Sequence, residues 1–183
     1  MTMQKGRLTS LLICLVLILQ SAELLAGWRE ALPDARRLGS GEMRVFGLSI
    51  YRAQFWSQRL IAGDPLDSDV PFALELTYSR AVSRDDLVEA SLKEIRRLSP
   101  NALNTERMTR WEREMRLAFV DVRAGDRITG VYLPGEGARF YVGEKLQHVV
   151  RDEAFAKAFF AIWLDPRTRN PELRAQLLGA AKP

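Results

Sequence analysis

The chain has 183 residues, of which 47% are hydrophobic and 27% charged, so it is long enough to form one globular domain with its own hydrophobic core. It carries 27 lysine and arginine residues against 23 aspartate and glutamate residues, and the two signs are interleaved along the chain. This pattern lacks the basic stripe and the recognisable motif that nucleic-acid binding requires, so we exclude nucleic acid as a partner.

Residues 1–26 have the layout of a secretory signal peptide. Lys5 and Arg7 form a short basic region, Leu11–Leu19 is an uninterrupted apolar run, and small residues follow. The run is shorter than a transmembrane helix requires, and an uncleaved N-terminal anchor is the alternative. We therefore predict an exported, periplasmic protein without a stable membrane span after signal removal, whose folded domain comprises residues 27–183.

The sequence predicts neither a metal site nor a cofactor. The single cysteine, Cys14, lies inside the apolar run, so the mature chain has no disulfide, no thiolate nucleophile and no zinc–cysteine site. His148 is the only histidine, and no nucleophile motif accompanies it. Phosphate-binding glycine loops are also missing from the sequence.

The folded part opens with Gly27–Asp34, in which Trp28 can anchor the segment by packing. Alternating apolar residues then predict a pair of strands at Arg36–Val45 and Gly47–Gln58, joined near Phe46–Gly47. After a loop rich in glycine, aspartate and proline, a half-buried strand follows with apolar side chains on one face: Phe72, Leu74, Leu76 and Tyr78.

Two helices are predicted in the middle of the chain. Ser83 is the N-cap of the first, with Asp86 completing a capping box. The second runs from about Thr105 to Phe119 and includes Met108 and Trp111 in its apolar stripe. Methionine and tryptophan on one stripe can line an adaptable apolar pocket, although ordinary core packing is the interpretation we favour.

The C-terminal part adds a strand at Asp126–Leu133 and a hairpin that turns at Gly143–Glu144. Asp152 caps a strongly amphipathic third helix, and Asn170–Pro171 opens a short last one. Strands, helices, strands and helices follow one another without regular alternation. This order predicts an α+β fold in which helices pack on an antiparallel sheet.

A series of short motifs follows along the chain: Gly39-x-Gly41-x-x-Arg44, Tyr51-x-Ala53-x-Phe55-Trp56, Leu76-x-Tyr78-x-Arg80 before a capped helix, Gly125–Asp126 before a strand, and Phe159–Leu164 followed by Pro171–Gly179. Together these motifs resemble the bacterial chalcone isomerase-like family, over essentially the whole mature chain. The resemblance implies an open-faced β-sandwich, with a large antiparallel sheet, helices packed on it and a cleft between the two.

The resemblance also implies roles for two residues. In plant chalcone isomerases an arginine on the early strand stabilises the anionic oxygen while a phenolate attacks an enone, and Arg44 is similar to that arginine. Tyr51 stands where those enzymes have a threonine, so the full catalytic set is incomplete. Relatives of the fold that lack the full set carry ligands without catalysis, and plastid fatty-acid binders are among them.

Three interpretations of Arg44 remain open. In the first, which we favour, it binds the carboxylate of a small apolar or amphipathic ligand, such as a fatty acid, with Tyr51 and Tyr78 as hydrogen-bond donors. In the second, Arg44 and Tyr51 act as electrophile and proton donor of an isomerase or lyase acting on an unknown enone. In the third, Arg44 pairs with a structural acid, Glu42 or Glu75.

The ligand-binding prediction therefore comprises Arg44, Tyr51 and Tyr78, with Met108 and Trp111 as the apolar wall. Arg44 and Tyr51 are also the predicted catalytic residues under the enzyme alternative. We expect Arg44 on the inner face of the sheet, where an unpaired charge is costly and requires a partner.

Overall fold

The computed structural model describes residues 27–99 and 104–179. The predicted signal peptide therefore lies outside the described residues. Within the described ranges, no helix is long and apolar enough to span a membrane.

The described residues form six strands and five α-helices. The strands are β1 (Arg36–Val45), β2 (Leu48–Ser57), β3 (Phe72–Tyr78), β4 (Arg127–Leu133), β5 (Gly137–Val142) and β6 (Lys145–Val150). The helices are α1 (Trp28–Ala31), α2 (Arg84–Leu98), α3 (Thr105–Ala118), α4 (Glu153–Leu164) and α5 (Pro171–Leu177), and a 3₁₀ turn covers Pro65–Asp67.

All six strands belong to one antiparallel sheet in which each strand pairs with its neighbours in sequence, from β1 to β6. The turn between β1 and β2 is Phe46–Gly47, as predicted, and both residues have a positive φ, 48° and 78°. Two such residues are typical of the tight hairpin turns whose twist matches that of the strands. The predicted hairpin turn at Gly143–Glu144 is also present, between β5 and β6.

One face of the sheet carries the main core. Alternate residues of the strands point to α2, α3, α4 and α5, and Phe55, Phe72 and Phe140 on that face are fully buried. α4 lies at the centre of this layer, and its aromatic side chains pack on those of the sheet, with ring centroids of Phe72 and Phe160 5.0 Å apart. Because successive side chains of a strand point to opposite faces of the sheet, the other face carries a different set of residues.

The opposite face of the sheet is covered only in part, by α1. Trp28 is fully buried there, and its indole nitrogen donates a hydrogen bond to Glu75 at 3.2 Å. Trp28 and Leu32 join Ala73, Val131 and Tyr141 in a second, smaller apolar cluster. The predicted anchoring role of Trp28 is therefore present in the structure.

α5 lies directly on β1 because two glycines leave room for it. A Cβ atom at Gly39 would overlap the carbonyl oxygens of Gln176 and Leu177, and one at Gly41 would overlap the side chains of Gln176 and Leu173. The Gly39-x-Gly41 spacing places both residues on the same side of the strand. The last helix of the described residues is thereby packed against the first of their strands.

The predicted α+β fold is confirmed: a six-stranded antiparallel sheet with helices on it forms an open-faced sandwich. The local signals that predicted it have the expected geometry. The Ser83 hydroxyl accepts a hydrogen bond from the backbone nitrogen of Asp86 at 3.1 Å, and the carboxylate of Asp152 accepts one from that of Phe155 at 3.0 Å. Caps of this kind satisfy backbone donors that the first turn of a helix leaves free.

Candidate functional site

A cavity of about 910 Å³ lies between the helix-facing side of the sheet and the helices α2 and α4. The segment that connects α4 to α5 completes its wall. Most of the lining is apolar and comes from elements distant in sequence: Met43, Leu76, Leu87, Ile128, Phe159 and Leu173 are examples. A volume of this size falls in the range of roughly 300–1,000 Å³ that is usual for small-molecule sites.

Two tyrosines bring hydroxyl groups to the apolar wall. Tyr51 on β2 and Tyr78 on β3 are directly paired across the two strands, and their rings meet edge to face with centroids 5.8 Å apart. The indole nitrogen of Trp163, from α4, donates a hydrogen bond to the Tyr51 hydroxyl oxygen at 2.9 Å. Because this oxygen already accepts from Trp163, the hydroxyl hydrogen of Tyr51 remains available to donate to a ligand.

Burial raises the pKa of Tyr51 to about 12, although the hydrogen bond from Trp163 opposes the shift. Burial also raises the pKa of Tyr78, and the neighbouring Tyr51 adds to that effect. Removing a phenolate from water is costly, so both groups keep their protons. At neutral pH the site therefore presents two neutral hydrogen-bond donors within apolar surroundings.

We expect the protein to lose stability as the pH rises from 10 to about 12, the interval between the ordinary and the raised pKa of Tyr51. There the unfolded chain releases a proton that the folded protein retains, so the free energy of unfolding falls with increasing pH. Urea denaturation at several alkaline pH values measures the slope. Tyr51→Phe should make the slope shallower; an unchanged slope would show that Tyr51 ionises equally in both states.

Charged residues lie at the mouth of the cavity. Lys93 and Glu94 come from α2, and Arg169 comes from the segment after α4. Glu94 forms ion pairs with Arg169 at 2.5 Å and with Arg97 at 2.9 Å. Lys93 is exposed and forms no ion pair with any described residue. The lining therefore has Glu94 bound between two arginines, Asp86 in the first turn of α2, and Lys93, which has no counter-charge among the described residues.

Arg44 lies outside the cavity. Its neighbours Met43 and Val45 line the cavity, so alternation turns Arg44 to the other face of the sheet, where 60% of its side chain is exposed. Its guanidinium forms an ion pair with Glu42 at 2.7 Å, the pairing that our third interpretation described. The expected position on the inner face is therefore wrong.

Met108 and Trp111 also lie away from this cavity. Both are buried in the main core, where the Trp111 ring meets Phe155 at a centroid distance of 5.8 Å. The indole nitrogen of Trp111 donates a hydrogen bond to Asp152 at 3.0 Å and so ties α3 to the start of α4. The structure thus gives them the core positions that the sequence favoured.

Of the five predicted site residues, the structure brings together Tyr51 and Tyr78, and it adds residues that sequence reasoning missed. Trp163 has a sequence signal, since it shares an apolar helical stripe with Phe159. Lys93 and Arg169 have none, because each resembles any solvated charge on a helix or loop. Among the described residues, no group of three histidine, cysteine, aspartate or glutamate side chains is arranged to hold a metal ion.

Comparison with known proteins agrees with this architecture. A family model described as chalcone isomerase-like matches residues 40–179. The crystal structure of a fatty-acid binding protein from Arabidopsis thaliana is similar, with a TM-score of 0.64 and 11% sequence identity over 81% of this chain and 88% of that chain. No curated protein matches the sequence.

Proposed function

Because this chain belongs to the chalcone isomerase-like family, we propose that it is a non-catalytic binder of an apolar, anionic small molecule of the fatty-acid type. The apolar cavity beside α2 and α4 is the observation that carries this proposal. Its wall can remove an acyl chain from water, and each buried methylene group is worth about 0.8 kcal/mol. The structural similarity to a fatty-acid binding protein also supports this proposal.

The polar groups of the cavity suit an acidic head group. The hydroxyls of Tyr51 and Tyr78 would donate hydrogen bonds to its oxygens, since both remain protonated at neutral pH. Hydrogen bonds to a charged acceptor are stronger than those between neutral groups. Lys93, which forms no ion pair with any described residue, places a positive charge at the mouth that attracts an anion to the cavity.

The proposal is tested by purifying the protein under mild conditions and measuring its mass in the native state. We expect a bound small molecule that leaves on denaturation, and we expect protein stripped of it to take up a long-chain fatty acid. A calorimetric titration of the stripped protein with the fatty acid gives the affinity. A protein that is isolated empty and takes up no fatty acid would contradict the proposal.

Arg44→Ala tests the role that the resemblance gives to Arg44. We expect fatty-acid affinity within about twofold of wild type, because the guanidinium pairs with Glu42 on the face away from the cavity. The same calorimetric titration measures it, with Glu42→Gln as a control that breaks the same ion pair. A loss of tenfold or more in Arg44→Ala alone would instead restore Arg44 as the ligand's anchor.

The enzyme alternative requires Arg44 and Tyr51 to act on one substrate. In the structure only Tyr51 lines the cavity, so the electrophile and the proton donor of that mechanism are not brought together. We therefore propose binding rather than isomerisation. Turnover of a chalcone by the wild-type protein, abolished in Arg44→Ala, would overturn this choice.

We further propose that the protein is a bacterial, exported member of the family. The basic, apolar and small-residue regions of residues 1–26 support a cleaved signal peptide. Mass spectrometry of the protein recovered from the producing cells tests cleavage directly. A mature N-terminus after residue 22 or 26 would support export, and retention of Met1 in membrane fractions would indicate the uncleaved anchor.

A further inference from the structure

The turn between β1 and β2 exposes a cluster of apolar side chains. We call residues 45–48 the hairpin tip. Phe46 is fully exposed, and Leu48 and Val45 are exposed by 53% and 40%. Single exposed apolar residues are ordinary on protein surfaces, but a contiguous cluster with a fully exposed aromatic ring indicates a contact surface.

The backbone makes Phe46 more unusual still. Its φ of 48° lies in the left-handed region, which asparagine and glycine adopt easily and bulky residues avoid. Phe46 thus combines conformational strain with complete exposure, and no described residue covers its side chain. Outliers of this kind are a basis for inferring function, since folding alone would favour another residue at the position.

The hairpin tip borders the mouth of the ligand cavity. Val45 and Phe46 belong to the cavity lining, while Leu48 stands outside it. An apolar ligand that leaves the cavity on this side therefore meets the hairpin tip before it meets bulk water. Because the hairpin tip is continuous with the cavity lining, we favour a partner of the tip that can also hold the apolar ligand.

The charges around the hairpin tip are mainly basic. Arg44 and Arg52 flank it on β1 and β2, and Arg80 follows β3 at the same end of the sheet. The side chains of Ser49 and Ser79 are 3.0 Å apart, which keeps the end of β3 beside the base of the tip. Glu42, paired with Arg44, is the acid of this group. Basic residues beside exposed apolar ones are typical of surfaces that bind anionic lipid.

We propose that the hairpin tip inserts into the surface of an anionic lipid bilayer and sets the mouth of the cavity against it. Phe46 and Leu48 enter the boundary between head groups and acyl chains, and the nearby arginines contact anionic head groups. The passage of ligand between bilayer and cavity rests on the proposed function, whereas the insertion itself does not.

A matched pair of tryptophan variants of the full chain tests the insertion. Leu48→Trp places a reporter in the hairpin tip, and Leu60→Trp places one at an apolar position that is 84% exposed beyond the other end of β2. Both variants carry residues 1–26, so attachment through that segment is common to both. Each is mixed with vesicles of equal parts phosphatidylglycerol and phosphatidylcholine, with and without bromine in the acyl chains.

We expect the emission of Leu48→Trp to shift to the blue and to be quenched by the brominated lipid, while that of Leu60→Trp changes in neither respect. Replacing phosphatidylglycerol by phosphatidylcholine should weaken the effect severalfold, since the basic residues then lose their counter-charges. Equal quenching at both positions, or none at position 48, would overturn the proposal.

A third variant combines Phe46→Asn with the reporter substitution Leu48→Trp. Asparagine suits the left-handed turn, so this chain should fold at least as well, yet its partitioning to the vesicles should fall by about tenfold. Unchanged partitioning would count against insertion of Phe46. A blue shift of Leu48→Trp that grows with protein concentration without vesicles would assign the tip to a protein contact instead.

The test of membrane insertion by the hairpin tip is independent of the test of fatty-acid binding. Fatty-acid uptake is measured in solution without vesicles, and Leu48 does not line the cavity. Normal uptake without quenching at position 48 would overturn insertion alone. Quenching without uptake would leave insertion standing and remove the proposed ligand.

Discussion

Ser91→Trp should abolish or severely weaken fatty-acid binding without unfolding the protein. Ser91 is half-buried on the cavity side of α2, and an indole there would occupy the space that we assign to the acyl chain. Steric overlap between the ligand and the indole is costly for the same reason that overpacking a core is costly. We therefore expect the affinity for the fatty acid to fall roughly tenfold to a hundredfold. Calorimetric titration with a fatty acid measures the loss.

Glu89→Trp is the matched control for this prediction. Glu89 lies two positions earlier on α2, is exposed, and does not belong to the cavity lining, so the same side chain there leaves the cavity open. We expect its affinity to equal that of wild type and both variants to keep the wild-type circular dichroism spectrum. Binding retained by Ser91→Trp would show that the ligand lies elsewhere.

Gly39→Ala should cause the largest loss of stability among single methyl additions in β1. The added Cβ would overlap backbone carbonyls of α5, and backbone cannot move aside as the end of a side chain can. We expect a loss of about 3 kcal/mol in the free energy of unfolding, the upper part of the usual range for overpacking. For a chain of this length that corresponds to roughly 10 °C in melting temperature.

Ser40→Ala provides the comparison, because residue 40 lies next in the strand with its side chain on the opposite side from Gly39. Urea denaturation of the two variants and wild type gives the free energies of unfolding. We expect Ser40→Ala to stay within about 0.5 kcal/mol of wild type, as surface changes usually do. A Gly39→Ala protein as stable as wild type would mean that α5 does not lie as close to β1 as described.

The fold could be predicted because its signals are local. Strand alternation at Phe72–Tyr78, the N-caps Ser83 and Asp152, and the turn at Phe46–Gly47 each depend on residues close together in sequence. Each signal has a direct physical cause, in the pleat of a strand or the unpaired donors of a first helical turn. Their order then restricted the architecture to helices on an antiparallel sheet.

The site was less predictable because it is assembled across the chain. Tyr51 and Trp163 are 112 residues apart, and nothing local shows that one donates a hydrogen bond to the other. For Arg44 we expected the inner face of the sheet and a role in the cleft, and its alternation with the apolar residues Met43 and Val45, which turns it to the other face, was given no weight. In the structure the alternation prevails, and a neighbouring glutamate neutralises the charge.

The contact between α5 and β1 also bears on when folding can finish. Every strand pairs with its neighbour in sequence, so the meander can form progressively as the chain emerges. The helix-facing side of β1 nevertheless stays uncovered until Pro171–Leu177 has been synthesised, because α5 is the element that packs on Gly39 and Gly41. Among the described elements, the helix that covers β1 is therefore made after the whole sheet, and this side of β1 stays open while the strands pair.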